Sequence, residues 1–407
     1  MYNKISEKLT NYNQQHLLKF YDSLTQEQKK SLFDDIEKIN FEILNNLNNK
    51  EENSNYKLSP IDILTLPKIA ENKDNYFSLG ISAIKEHKVA AVLLAGGQGS
   101  RLGFDGPKGT LNVGINKELY LFEILINNLL DVLKQADNTW IYLYIMTSAK
   151  NNTETIEFFE KHNYFGYNKD YIKFFVQEMA PAVDYNGKIY MEEKWKIALS
   201  PNGNGGWFSS LGKSGLLKQA LNSGVEWLNV FSVDNVLQRI ADPVFLGATI
   251  ALNMPMGAKV LKKNAPDEKV GVICKKDGIP SIIEYYELTD EVNQILDENG
   301  ERVYNYGVTL NYLFNINKLQ NKSYDCLPVH LANKKIPYID DNGNHIKPTE
   351  NNGYKFETLI LDMIRLYDNV LAYEVERNVE FAPIKNKEGV DSLESARELL
   401  KLNGIEL

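Results

Sequence analysis

Cysteine and histidine are scarce in this chain, with two Cys and five His among 407 residues. Cys274 and Cys326 cannot build a disulfide framework or a structural zinc site unaided. Both are expected to be reduced core residues in a reducing compartment. Basic charge is also in deficit: Lys plus Arg number 45 against 54 Asp plus Glu, a net charge of −9. Nucleic-acid binders use basic surface to neutralise phosphates, so the chain is a poor candidate for that class and no nucleic-acid partner is expected. Long apolar runs are missing. Val89–Ala95 and Ile141–Met146, the most apolar stretches, fall far short of the about 20 residues that cross a bilayer. The first residues, MYNKISEKLTNYNQQ, lack the apolar centre of a signal peptide. A soluble, cytoplasmic protein with no membrane partner is expected. There is no internal repeat, and 43% hydrophobic and 24% charged residues make an ordinary globular composition. The length suits one large α/β domain with additions.

Hydrophobic patterning supplies the organisation. Leu17, Leu18, Phe20, Tyr21 and Leu24, then Leu32, Ile36, Ile39 and Ile43, recur near helical spacing and predict a helical preface. Thr25, with Gln28 three residues on, offers a capping-box start. Asn48–Asn55 is polar and reads as a loop. From about residue 86, short apolar strands alternate with helices. Predicted strands cover Val89–Leu94, Trp140–Met146, Tyr171–Val176 and Trp227–Val233. Predicted helices cover Leu119–Leu133, Thr153–His162 and Leu216–Asn222. Such alternation implies a parallel, doubly wound sheet, whose ligands bind beyond the carboxyl ends of the strands. Those ends carry a glycine loop, Thr147-Ser148, Gln177 and Asp234-Asn235. Beyond Pro243 the alternation breaks. Val270–Lys275 and Ser281–Tyr286 read as a hairpin, Val303–Phe314 as a long strand, and Glu357–Leu366 and Leu393–Leu400 as helices.

Three motifs carry chemistry. In Leu94–Gly109, Gly96, Gly97 and Gly99 follow a buried strand, and Arg101 and Lys108 share the excursion. Glycines let backbone N–H groups approach an anion, and two cations beside them suit a triphosphate. The loop is not the dinucleotide fingerprint, because Leu102 stands where its third glycine is needed. Nor is Gly212-Lys213-Ser214 a P-loop, because Trp207 stands at the partner glycine. Ser200–Gly206 is small and flexible enough to lie flat against a planar base. Asp234 closes an apolar strand. A carboxylate there is most often a helix cap, but beside a triphosphate loop it suits a hard cation such as Mg²⁺.

These motifs run in one order with Phe175-Val-Gln177, Gly271 with Glu284-Tyr285, Ala332–Tyr338 and Pro383–Asn386. Together the chain resembles the UTP-dependent sugar-1-phosphate uridylyltransferases, and among them the UDP-N-acetylhexosamine pyrophosphorylases. Gln98 and Asn204-Gly205-Gly206 set it apart from the UDP-glucose and broad UDP-sugar enzymes, which nevertheless stay open as alternatives, as does a non-catalytic UDP-sugar-binding protein. The resemblance implies an α/β nucleotide-diphospho-sugar transferase fold with a Rossmann-like mixed sheet. Residues 1–85 would form a helical segment, 86–330 the catalytic core, and 331–407 a small α+β appendage completing the sugar-phosphate site. It implies that UTP and a sugar 1-phosphate, N-acetylglucosamine 1-phosphate or its galactosamine epimer, give UDP-sugar and pyrophosphate, with Mg²⁺ as cofactor, on a monomer or weak homodimer. Gly96, Gly97, Gln177 and Gly205 would contact the uridine. Arg101, Lys108 and Lys385 would act on the phosphates, and Asp234 would hold the metal. Gly271, Glu284 and Asn311 would contact the sugar. One position departs: Val308 stands where these enzymes usually have a sugar-contacting asparagine.

Overall fold

The structure, a computed structural model, describes residues 2–48, 56–320 and 322–407. The expected loop Asn48–Asn55 lies outside the described residues apart from Asn48. The chain divides into two compact units, each taking three separate stretches of sequence. The smaller takes Met1–Asn55, Gln177–Gly206 and Leu327–Ile360, and the larger takes Tyr56–Val176, Trp207–Cys326 and Leu361–Leu407.

The larger unit is built on an eleven-stranded sheet. Val89–Leu94 is buried at all six positions, as a strand covered on both faces must be. It pairs in parallel with Leu143–Thr147 on one side and Trp227–Ser232 on the other, and Leu143–Thr147 pairs in parallel with Ile172–Val176. These are the four predicted strands. The sheet is mixed because Tyr306–Asn315 runs antiparallel between Trp227–Ser232 and Met256–Lys262. Leu371–Glu374 then pairs in parallel with Met256–Lys262. The predicted hairpin is present as Val272–Lys276 and Ile279–Ile283. Asp277 and Gly278, at φ 52° and 82°, make the two-residue turn whose twist suits a hairpin. Helix Leu121–Gln135 buries Phe122, Leu125, Ile126, Leu129, Val132 and Leu133 in the main core, which they share with the strands.

The smaller unit packs the N-terminal helices on a four-stranded antiparallel sheet ordered His330–Lys334, Gly353–Glu357, Met179–Asp184, Leu199–Pro201. Helix Gln26–Lys38 begins with the expected capping box between Thr25 and Gln28. Its Leu32, Phe33 and Ile36 join Leu9, Val183, Ile197 and Phe356 in a separate core. Two helical expectations are corrected. Gln15–Leu18 and Tyr21–Ser23 are short 3₁₀ turns, too brief for the α-helix that the leucine spacing suggested. The helix expected at Glu357–Leu366 is instead the end of strand Gly353–Glu357 followed by 3₁₀ residues Ile360–Leu366. At the first of these, Leu17 is buried with Val183 and Ile189, and that packing overrides local spacing.

Candidate active site

The larger unit has a topological switch. From Val89–Leu94 the chain adds Leu143–Thr147 and Ile172–Val176 to one side, then crosses to place Trp227–Ser232 on the other. Ligands bind at such crevices beyond the carboxyl ends of the strands. The glycine loop leaves the first of these ends. It folds back on itself: Gly99 N–H donates to Gly106 O at 3.0 Å and Lys108 N–H to Gly97 O at 3.2 Å, with a bridge between Gln98 and Pro107. Gly97 is exposed, and a Cβ built there would meet nothing within 4 Å. The space over its backbone is therefore open to a ligand. Arg101 lies exposed on the 3₁₀ turn Ser100–Leu102.

Lys108 follows the closed loop and is buried, whereas Asp234 follows Trp227–Ser232, the neighbouring strand. The loop carries one to the other: Lys108 Nζ donates to Asp234 Oδ1 at 2.6 Å. The lysine side chain is 10% exposed and the aspartate 33%. Asp234 thus already faces a cation and keeps an open edge, which fits a carboxylate able to accept a divalent ion. Among the described residues no group of three or more His, Cys, Asp or Glu side chains could hold a metal. The protein would supply Asp234, and phosphate and water oxygens the rest, as is usual for Mg²⁺.

The residues expected to contact the sugar divide. Gly271 and Glu284 continue the register of the Val272–Lys276 hairpin, and a Cβ on Gly271 would lie 3.6 Å from Glu284 Oε2. Val308 joins them, its N–H donating to Gly271 O at 2.9 Å. Asn311 does not. Its side chain is fully enclosed and its amide is committed. Oδ1 accepts from Asn229 Nδ2 at 2.8 Å, and Nδ2 donates to Gln238 Oε1 at 3.3 Å and Arg239 O at 3.2 Å. The structure therefore does not bring the Asn311 side chain together with Gly271 and Glu284: it is a buried amide with both ends paired inside the protein. Lys385 is exposed at the root of a loop closed by its own N–H and that of Asn386, both donating to Asp391 O.

Gln177 and Gly205 belong to the smaller unit. Gln177 is buried, and its Nε2 donates to Gly203 O and weakly to Asn202 Oδ1. The amide therefore lies against the Asn202–Gly206 loop that the sequence marked as a base platform. Gly205 is glycine for a reason internal to the chain. A Cβ there would sit 2.7 Å from the carbonyl carbon of Leu359, while its N–H donates to Thr358 O at 2.9 Å.

Two residues organise these strand ends: Asn151, which the sequence did not single out, and Asn235, which it marked without a role. Asn151, fully buried, accepts from Ser148 N–H at 2.7 Å and donates to Ala95 O at 3.0 Å and Gly97 O at 3.3 Å. It ties the glycine loop to the next strand end. Asn235 ties the Asp234 turn to residues 380–384. Both are asparagines within four residues of a buried parallel strand's carboxyl end, where a side-chain amide can satisfy loop backbone. That placement was the signal available.

The sequence profile of the UTP–glucose-1-phosphate uridylyltransferase family matches residues 32–404. The UDP-N-acetylhexosamine pyrophosphorylase-like protein 1 of Mus musculus is 38% identical over 77% of this chain. The match spans 63% of that relative's own length, less than two thirds. The UDP-N-acetylglucosamine pyrophosphorylase of Saccharomyces cerevisiae is 33% identical over 92% of this chain and 84% of its own. The crystal structure of the uridine diphosphate N-acetylglucosamine pyrophosphorylase from Trypanosoma brucei superposes with a TM-score of 0.83 at 27% identity, covering 97% of this chain and 83% of that one.

Proposed function

The chain belongs to the UTP–glucose-1-phosphate uridylyltransferase family, and we propose that it transfers uridylyl from UTP to a sugar 1-phosphate, with N-acetylglucosamine 1-phosphate as preferred acceptor. The observation that carries the reading is Lys108 meeting Asp234 at 2.6 Å, on the two strands that flank the switch point and beside the open backbone of Gly97. The acceptor preference draws on the names of the mouse, yeast and trypanosome relatives and on the Gln98 and Asn204-Gly205-Gly206 signatures.

In this reading an oxygen of the sugar phosphate attacks the α-phosphorus of UTP in line. A new P–O bond forms, the bond from the α-phosphorus to the bridging oxygen breaks, and its electrons leave on pyrophosphate. The nucleophile is already an anion, so neither a general base nor a covalent enzyme intermediate is needed. Lys108 and Arg101 gather the charge developing on the phosphates. Lys385 holds the acceptor phosphate for the in-line approach. Glu284 accepts from a sugar hydroxyl, and Gln177 reads the uracil edge while keeping one N–H on Gly203 O. A magnesium ion held by Asp234 would add positive charge beside the triphosphate. Lys108 and that ion would compete for the Asp234 carboxylate, which would release the Lys108 ammonium toward the phosphates.

The test is a panel of sugar 1-phosphates with UTP, read by pyrophosphate release. N-acetylglucosamine 1-phosphate is expected to lead. Fast release with glucose 1-phosphate and slow release with every N-acetylated sugar would replace the acceptor assignment. Tight UDP-sugar binding without any release would replace the enzyme by a binding protein.

A further inference from the structure

The Asp234 turn and the segment bearing Lys385 are far apart in sequence yet stitched together in the larger unit. Asn235 makes much of the seam. Its side chain is 3% exposed. Its Nδ2 donates to Glu380 O at 2.7 Å, and its Oδ1 accepts from Ala382 N–H at 2.8 Å and Leu237 N–H at 3.4 Å. Glu380 ends the single-turn helix Arg377–Glu380, so the amide satisfies a carbonyl that a helix terminus leaves without an internal partner. Backbone bonds extend the seam on both sides. Val236 N–H donates to Ala382 O at 3.3 Å and Ile384 N–H to Asp234 O at 2.9 Å, with a bridge between Asn235 and Pro383. Lys385 is the next residue after Ile384.

We infer that Asn235 is a positioning residue that fixes the Lys385 ammonium relative to the Asp234 carboxylate. The acceptor phosphate is thereby placed in line with the α-phosphorus. This rests on the reading of Lys385 as the acceptor-phosphate ligand. The geometry explains why an amide is needed. One side chain must donate to a helix-end carbonyl and accept from a loop N–H at once, and only Asn or Gln does both with fixed polarity. A carboxylate keeps the acceptor and loses the donor. Alanine loses both, leaving the Glu380 carbonyl and Ala382 N–H without partners and the 381–385 segment held by backbone bonds alone.

The experiment compares Asn235→Ala, Asn235→Asp, Lys385→Ala and the double variant Asn235→Ala/Lys385→Ala. For each, KM for N-acetylglucosamine 1-phosphate, KM for UTP, kcat and Tm are measured. Asn235→Ala is expected to raise the acceptor KM about tenfold, the scale of one or two lost hydrogen bonds, and to move the UTP KM less than about twofold. Asn235→Asp should fall between Asn235→Ala and wild type, and it carries the test if the alanine variant does not fold. The double variant should bind acceptor no worse than Lys385→Ala within about twofold, since coupled residues are not additive. A lowered Tm with acceptor KM unchanged would overturn the inference, because a merely structural asparagine gives that result. Full additivity in the double variant would overturn it as well. If Lys385→Ala alone leaves the acceptor KM unchanged, the reading of Lys385 fails and the inference with it. That failure is visible in the single variant, separate from any result at Asn235.

Discussion

Lys259 and Lys108, two buried lysines of the larger unit, both meet carboxylates and are built for opposite ends. Lys259 is 1% exposed and lies between Asp242 Oδ2 at 2.9 Å and Glu380 Oε2 at 2.5 Å. Its ammonium also sits 5.5 Å from the Phe245 ring centroid. Burial opposes ionisation of both carboxyls, and the two respond in opposite directions. Lys259 and Arg239 hold Asp242 below the usual carboxylate range, whereas burial and the Asp242 charge push Glu380 up. Every charge in this cluster is committed to another. Lys108 and Asp234 form a single pair with the carboxylate one third exposed, beside a glycine backbone with open space above it. Charges there can be exchanged for those of a ligand. A closed cluster leaves nothing for a ligand to exchange with, whereas an open pair of the same chemistry does leave a charge to exchange.

Removing each lysine separates the two roles. Lys108→Ala should lower kcat about 10²–10³-fold, the scale for one preorganised charge-stabilising contact, with Tm nearly unchanged. Lys259→Met should do the reverse. It leaves two buried carboxylates without their cation, a loss of about 3–5 kcal/mol, read as a large fall in Tm with kcat of the folded fraction retained. Thermal unfolding and single-turnover rates on the same two proteins decide it. If Lys108→Ala chiefly destabilises the protein, or Lys259→Met chiefly slows turnover, the assignment of the two clusters is reversed.

Metal removal sharpens the open pair. Chelation should abolish activity and added Mg²⁺ restore it. Asp234→Asn should raise the half-saturating Mg²⁺ by about tenfold or more, since contacts to a charged group are worth about 1.5–3 kcal/mol. Lys108→Met should act oppositely on Mn²⁺ binding without nucleotide. With its competitor gone, Asp234 should take up Mn²⁺ more tightly by paramagnetic titration. Unchanged midpoints in both variants would leave Asp234 as a capping residue.

The open pair was legible in the sequence and the closed cluster was not, for a physical reason. Gly96, Gly97 and Asp234 announce themselves locally, as small or charged residues at the ends of apolar runs, and Lys108 as a cation closing the glycine-rich excursion. The four parallel strands, the hairpin turn at Asp277-Gly278 and the Thr25 cap are also local signals. Lys259 lies in Met256–Lys262, a strand whose place depends on Tyr306–Asn315 running antiparallel beside it. Long-range pairing leaves no mark within a short window. The same holds for Asn311, whose partner Asn229 is on a neighbouring strand. An asparagine inside the apolar run Trp227–Ser232 was a hint that a buried amide partner existed, but not where. Nor could local spacing show that 1–55, 177–206 and 327–360 form one compact unit.

Neutral amides extend the comparison at a smaller scale. Asn311 has both ends paired inside the protein, whereas Gln177 has its amide nitrogen on Gly203 O and Asn202 Oδ1 and retains acceptor capacity. Gln177 should therefore select uracil, which pairs a ring N–H with a carbonyl where cytosine does not. Wild type should use UTP well above CTP. Gln177→Ala should narrow the ratio of kcat/KM by an amount equivalent to about 1–3 kcal/mol. Equal use of UTP and CTP by the wild type would remove the uracil reading.

On the single strand Tyr306–Asn315, Val308 and Asn311 face different fates. Val308 is half-buried and bonded through its N–H to Gly271, next to the pair proposed to contact the sugar. Its side chain offers that sugar no hydrogen bond. Asparagine at 308 would add one polar contact near Glu284, worth roughly 0.5–1.5 kcal/mol, or a few-fold to about tenfold in discrimination. Wild type is accordingly expected to distinguish N-acetylglucosamine from N-acetylgalactosamine 1-phosphate only weakly. Val308→Asn should sharpen that preference without changing the UTP KM. Asn311→Ala, three residues on, should do neither. It strips partners from Asn229 and Gln238, so it should lower Tm and leave the epimer ratio where it was. If Asn311→Ala shifts the ratio and Val308→Asn does not, the fully enclosed amide reaches the sugar in a conformation other than this one, and the division between committed and available polar groups fails at that strand.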